Sequence, residues 1–131
     1  MSDKGNRVIQ TTNAPAAIGP YSQAVRAGDF VFVSGQLGMD PETGELVNGD
    51  IRDRTRRAIE NVAAIAQAAG GTLADVVQVR LYLLEMGHFA SVNEVYAEYF
   101  GQGMPARAAI GVASLPRGAD VEMEAVLYLP A

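Results

Sequence analysis

Residues 50–84 read DIRDRTRRAIENVAAIAQAAGGTLADVVQVRLYLL. Ile51, Thr55, Ala58, Ile59, Val62, Ile65, Ala66 and Ala69 recur at three- and four-residue spacing. That period lines apolar side chains along one face of a helix. Arg52, Arg54, Arg56, Arg57 and Glu60 fall mainly on the other side, and Arg54, Arg56 and Arg57 are expected to form a solvated face. Asp50 is placed to cap the first turn and Gly70-Gly71 to end the last. The period then changes to two. Val77, Val79, Leu81 and Leu83 alternate with Gln78, Arg80 and Tyr82, which predicts a strand from Val76 to Leu84.

Upstream, Gln23 to Ala27 and Phe30 to Ser34 flank Gly28-Asp29, a hairpin signal. Phe30, Val31, Phe32 and Val33 are apolar without alternation, so this strand is expected to be buried on both faces. Asp40-Pro41-Glu42-Thr43-Gly44 reads as a tight turn in the loop from Leu37 to Asp50. Downstream, a second helix from about Phe89 to Phe100 carries the stripe Phe89, Val92, Tyr96, Tyr99 and Phe100, with Val95 alongside and Gly101 and Gly103 ending it. Two last strands, near Ala106 to Ala113 and Asp120 to Leu129, are joined by Leu115-Pro116-Arg117-Gly118. The order is β-β-α-β-α-β-β, an α+β pattern read as one domain over residues 1–131. Two helices cover one face of such a sheet. In the last strand Val121, Met123, Ala125 and Leu127 alternate with Glu122, Glu124, Val126 and Tyr128, a mixed second set. With the doubly apolar strand, this predicts that the uncovered face packs against another subunit.

The 131 residues are 49% hydrophobic and 19% charged, which excludes disorder as the main state. Zero cysteines exclude disulfides, thiol catalysis and Cys-ligated metals. One histidine, His88, excludes a multi-His metal site within one chain and is read as a surface or capping residue. A net charge of −5 argues against nucleic acid, whose binders need a basic footprint. No apolar run approaches the ~20 residues of a membrane span. Met1 to Gln10 carries charges and no hydrophobic stretch, so it is not read as a signal peptide, and the expected place is the cytoplasm.

The reactive groups that remain are carboxylates, arginines, tyrosines and hydroxyls. Arg107 follows Met104-Pro105-Ala106 at a strand entry, and Glu122 lies on the last strand. An arginine fork clamps a carboxylate, and a half-buried carboxylate holds and polarises a water. That pair suffices to hydrolyse a carbon that is already electrophilic, but not a peptide or phosphodiester. On spacing alone, most such residues are surface pairs. Ile18-Gly19-Pro20-Tyr21-Ser22 forces an irregular backbone beside a tyrosine, and the glycine of Ser34-Gly35-Gln36 permits close approach at a strand end. Gly101-Gln102-Gly103 follows a helix and is no dinucleotide loop.

Six segments then stand in register: Ala17 to Ala24, Val33-Ser34-Gly35-Gln36, Phe89-Ala90-Ser91-Val92-Asn93, Pro105-Ala106-Arg107, Leu115 to Ala119, and Val121-Glu122-Met123-Glu124. Together, from about Asn13 to Val126, they resemble the RidA (YjgF) family of reactive intermediate deaminases. The resemblance implies a chorismate-mutase-like α+β fold, with a mixed sheet and two helices on one face. It implies a homotrimer with sites between subunits, no cofactor and no metal. It further implies hydrolysis of small enamine/imine intermediates, 2-aminoacrylate and 2-aminocrotonate, to 2-keto acids and ammonia. By the same resemblance, Arg107 matches the arginine that binds the substrate carboxylate and Glu122 the carboxylate that positions the attacking water. Tyr21, Ser34, Gly35 and Asn93 match residues that bind substrate. Ala109 stands where many members carry a cysteine, so thiol regulation there is excluded. The alternatives are a non-catalytic metabolite-binding regulatory trimer, a translation-inhibiting ribonuclease, and a deaminase of a pathway-specific substrate.

Overall fold

The computed structural model describes residues 7–101 and 103–130; the readings above that fall on Met1 to Asn6 and on Gln102 lie outside them. Helix α1 (Ile51–Ala68) begins where Asp50 accepts hydrogen bonds from the backbone N–H groups of Arg52 and Asp53, while the Asp53 carboxylate accepts one from the Asp50 N–H. This reciprocal cap satisfies donors that the first helical turn leaves open. Gly70 ends it at φ +96°. Helix α2 (Phe89–Tyr99) buries Val92, Val95 and Tyr96, as its stripe predicts.

The strands are β1 (Val8–Ile9), β2 (Ala24–Ala27), β3 (Phe30–Leu37), β4 (Val76–Leu83), β5 (Ala106–Gly111) and β6 (Val121–Tyr128), in one sheet of order β1-β2-β3-β6-β4-β5. The β2–β3 turn has Gly28 at φ +60°, as a two-residue hairpin with glycine first requires. β3 and β4 both run antiparallel to β6, and β4 runs parallel to β5. The crossovers β3-α1-β4 and β4-α2-β5 therefore join parallel strands and step the same way along the sheet. Crossovers of one hand then send both helices to the same face. Arg52–Glu94 at 2.9 Å and Arg56–Glu98 at 2.7 Å tie the two helices together. Between helices and sheet lies the core, with Ile59, Val62 and Ile65 against Val31, Val79, Leu81, Met123 and Leu127.

Two expectations change, and a third is qualified. The second predicted strand is not buried on both faces of this chain: Val31 and Val33 point into the core, whereas Phe30 and Phe32 stay 42% and 49% exposed on the open face. The pleat sends alternate side chains to opposite faces, and the helices cover only one. Val77 does not join Val79, Leu81 and Leu83. A register shift between Val76 and Gln78 turns Val76 inward and leaves Val77 exposed. The arginine face of α1 is solvated, with Arg52 and Arg56 42% and 40% exposed, but it is not free. Each arginine meets a carboxylate, and Arg54 holds Asp120 at 2.8 Å while donating to the Gly49 carbonyl.

One packing contact yields a stability prediction. A Cβ on Gly38 would stand 2.6 Å from the Arg54 carbonyl oxygen and 2.7 Å from its Cα. Backbone cannot swing aside, so Gly38→Ala is expected to cost about 1–3 kcal/mol. A urea midpoint lowered at unchanged m-value is the expected reading; an unchanged midpoint would refute the contact.

Candidate active site

The site is built around an irregularity in β3. Val33 pairs with Ala125 and Gln36 with Met123, so Ser34 and Gly35 together face the single residue Glu124. This is a β-bulge, which bends a strand and re-aims its neighbours. The space over Gly35 is taken by Glu122: a Cβ there would stand 1.8 Å from Glu122 Oε2. The glycine's close approach is thus to a carboxylate of the neighbouring strand. Ser34 is held by its Oγ, which donates to the Ser22 carbonyl at 2.6 Å, and by its N–H, which donates to the Gln23 carbonyl at 2.9 Å.

Glu122 forms the floor of a cleft of about 500 Å³ whose wall includes Ile18, Tyr21, Leu37, Met39 and Arg117. Burial, and then the nearby Glu124 charge, push its carboxyl above the usual carboxylate range. Among the described residues it makes no hydrogen bond or ion pair. Glu124 differs: Tyr82 Oη donates to it, and Arg80 lies at 3.5 Å. Tyr21, 50% exposed, stands at the mouth on the segment that Gly19 and Pro20 bend. Among the described residues no three His, Cys, Asp or Glu side chains converge as a metal site.

Arg107 and Asn93 form a separate group. Arg107 Nη1 donates to Asn93 Oδ1 at 2.8 Å, and the guanidinium lies over the rings of Phe89 and Tyr96. Arg107 pairs with Val79, whose side chain faces the helices. Glu122 pairs with Tyr82 and alternates with the buried Val121 and Met123, so it faces the open side. Paired residues share a face and successive residues do not. Within one chain, Arg107 and Glu122 therefore stand on opposite faces of the sheet.

A family model described as Endoribonuclease L-PSP matches residues 11–129. A RutC family protein of Pyrococcus horikoshii is 55% identical over 121 residues, 92% of this chain and 96% of that one. The 2-iminobutanoate/2-iminopropanoate deaminase of Mus musculus is 48% identical over 126 residues, 96% of this chain and 93% of that one. The crystal structure of RidA from the Antarctic bacterium Psychrobacter sp. superposes with a TM-score of 0.90 at 49% identity, covering 93% of this chain and 98% of that one. The chain belongs to the RidA/YjgF family. Its α+β fold, a six-stranded mixed sheet with two helices, is that of the family's solved members.

Within this RidA-family chain, the structure brings Tyr21, Ser34, Gly35 and Glu122 to one cleft and Arg107 and Asn93 to another place. Residues outside the predicted set hold the walls. Gln23, 4% exposed, accepts from the Thr11 N–H and donates to the carbonyls of Ala14 and Pro15, which fixes the chain that leads to Tyr21. Asn61 donates to the carbonyls of Leu37 and Met39, which flank the cleft. The signal for Asn61 was a polar side chain in the apolar stripe of α1, between Ala58 and Ile65. Arg117 stands in the joint Leu115-Pro116-Arg117-Gly118, whose proline and glycine mark a turn but not the direction of the side chain between them. It sits at φ +62° and donates to the Gly44 carbonyl at 3.0 Å.

Proposed function

We propose that this chain hydrolyses small 2-imino acids, formed from enamines such as 2-aminoacrylate and 2-aminocrotonate, to 2-keto acids and ammonia. Imine deamination is supported for the family by members so named. The observation that carries the reading here is Glu122, a carboxylate in a cleft floor with no cationic partner among the described residues and a raised proton affinity. Such a group takes a proton from water, while a paired one is held as a permanent anion.

The step balances simply. Glu122 removes a proton as the water oxygen bonds to the imine carbon, and the electron pair of the C=N bond moves to nitrogen. Return of that proton to nitrogen gives a carbinolamine carrying OH and NH2. The hydroxyl proton then passes to the nitrogen by way of Glu122, the O–H pair forms the C=O bond as the C–N bond breaks, and NH3 leaves the keto acid behind. Tyr21 and the bulge of Ser34 and Gly35 shape the cavity. Arg107, oriented by Asn93, binds the substrate carboxylate and so supplies most of the orientation.

Because Arg107 and Glu122 stand on opposite faces of one chain, the reading needs a second copy. We infer a homotrimer in which the Arg107 edge of one subunit closes the Glu122 cleft of the next. The open sheet face supports it: Phe30, Phe32 and Tyr128 are exposed there, and the rings of Phe30 and Tyr128 meet at 5.4 Å, tilted by 51°. The proposed place is the cytoplasm; no helix among the described residues is long and apolar enough to cross a membrane. A ribonuclease role draws no support from the arginines of α1, which are neutralised by carboxylates.

The test is 2-ketobutanoate release from 2-aminocrotonate made in situ by a threonine dehydratase, with semicarbazide to trap unreacted imine. The intact protein is expected to speed release and suppress trapping. Arg107→Ala is expected to lower kcat/KM about 10²–10³-fold, the equivalent of about 3–4 kcal/mol for a desolvated charge pair. No acceleration by the intact protein would overturn the reading and leave a metabolite-binding trimer, for which ligand titration is the next measurement.

A further inference from the structure

An arginine binds a carboxylate well only when its guanidinium plane is held with the free edge toward the ligand. Arg107 lies on β5, an edge strand with mostly exposed residues, where a long side chain would sample many rotamers. Three residues of α2 restrain it. Asn93 accepts from Nη1, Phe89 places its ring centroid 5.4 Å from the guanidinium carbon, and Tyr96 places its own at 4.8 Å. Residues 89, 93 and 96 follow at intervals of four and three, so one helix face presents all of them.

Tyr96 is 4% exposed, and its hydroxyl makes no hydrogen bond among the described residues. A buried tyrosine ordinarily finds a partner for that group. The contact that Tyr96 makes with Arg107 is through its ring. Phe100 packs on the same ring at 4.6 Å and holds it in place. Arg107 also has no carboxylate within ion-pair distance among the described residues, unlike Arg52, Arg54, Arg56 and Arg57. A carboxylate there would compete with an anionic ligand; two ring faces and one amide oxygen fix the group and leave its charge available.

We propose that Phe89 and Tyr96 are positioning residues for Arg107, an aromatic cradle that sets the guanidinium plane and turns its unused N–H edge toward the substrate carboxylate. This rests on the deaminase reading above. The measurements are Kd for 2-oxobutanoate by calorimetry and kcat and KM for imine hydrolysis, with the full chain in its solution assembly. Tyr96→Leu and Phe89→Leu are each expected to raise Kd and KM about 5–30-fold, with kcat within about threefold. Tyr96→Phe, which keeps the ring, is expected to restore the parent values within about twofold. Phe89 is only half-buried, so its variant carries the test if Tyr96→Leu unfolds. Folded Leu variants with unchanged Kd, while Arg107→Ala abolishes binding, would overturn the proposal. So would a Tyr96→Phe variant as impaired as Tyr96→Leu, since the hydroxyl would then be at work. Unchanged affinity in Arg107→Ala would instead overturn the deaminase reading itself.

Discussion

Glu122→Gln is expected to slow imine hydrolysis about 10²–10⁴-fold in kcat, the range a positioned general base supplies. Glutamine keeps the shape and the hydrogen-bonding capacity but cannot take the proton. The fold should not suffer. Burial disfavours the ionised form of Glu122 and pushes its carboxyl up, with Glu124 adding to it. A group with a raised folded-state pKa binds its proton more tightly folded than unfolded. Its contribution to stability is therefore present below the unfolded pKa and lost as pH rises through the folded one. Above its folded-state pKa the charged Glu122 opposes folding, so Glu122→Gln is expected there to hold or raise Tm while activity collapses. The same shift sets the acid limb. Turnover above the uncatalysed rate should fall as pH drops through a value higher than an ordinary carboxylate's. Glu124→Gln, which removes the second cause of the shift, should move that limb to lower pH. A full-rate Glu122→Gln enzyme would remove the carboxylate from the mechanism.

Gly35→Ala is expected to be nearly as damaging to kcat, about 10²-fold or more, by displacing that same carboxylate. The added Cβ would stand 1.8 Å from Glu122 Oε2 and 2.7 Å from its carboxyl carbon. Those atoms end a flexible side chain, so they move rather than resist, and Gly35 is not in the left-handed backbone region that would strain an alanine. The expected phenotype is a protein of near-parent Tm with the base pushed out of line. A double-mutant cycle isolates the cause. If Gly35 acts only through Glu122, Gly35→Ala combined with Glu122→Gln should be no slower than Glu122→Gln alone. Multiplicative losses would show that Gly35 contacts the ligand on its own account.

Much of this molecule was legible before folding because its signals are local. The three-to-four spacing in α1 follows from the helix's own geometry, and the Asp50 cap and the Gly28 and Gly44 turns depend on neighbours a few residues away. The strand irregularities were not legible. Val77 continues a clean alternation in the sequence, and only its register against β6 expels it. In the same way nothing in Ser34-Gly35-Gln36 announces a bulge; two residues facing Glu124 is a property of the pair of strands.

The sequence by itself determined the helices, the hairpin, the absence of thiol chemistry and the set of segments that mark the family. Each of these rests on residue chemistry or on contacts within a turn. Only the tertiary structure decided how the candidate site is divided. β5 reads ARAAIG, with no alternation to say which way Arg107 faces, and its pairing with the buried Val79 turns the arginine to the helix side. Glu122, one strand over from Val79's own, faces the other way because it pairs with Tyr82. Facing depends on register between strands distant in sequence, and register is set by what the shared core buries.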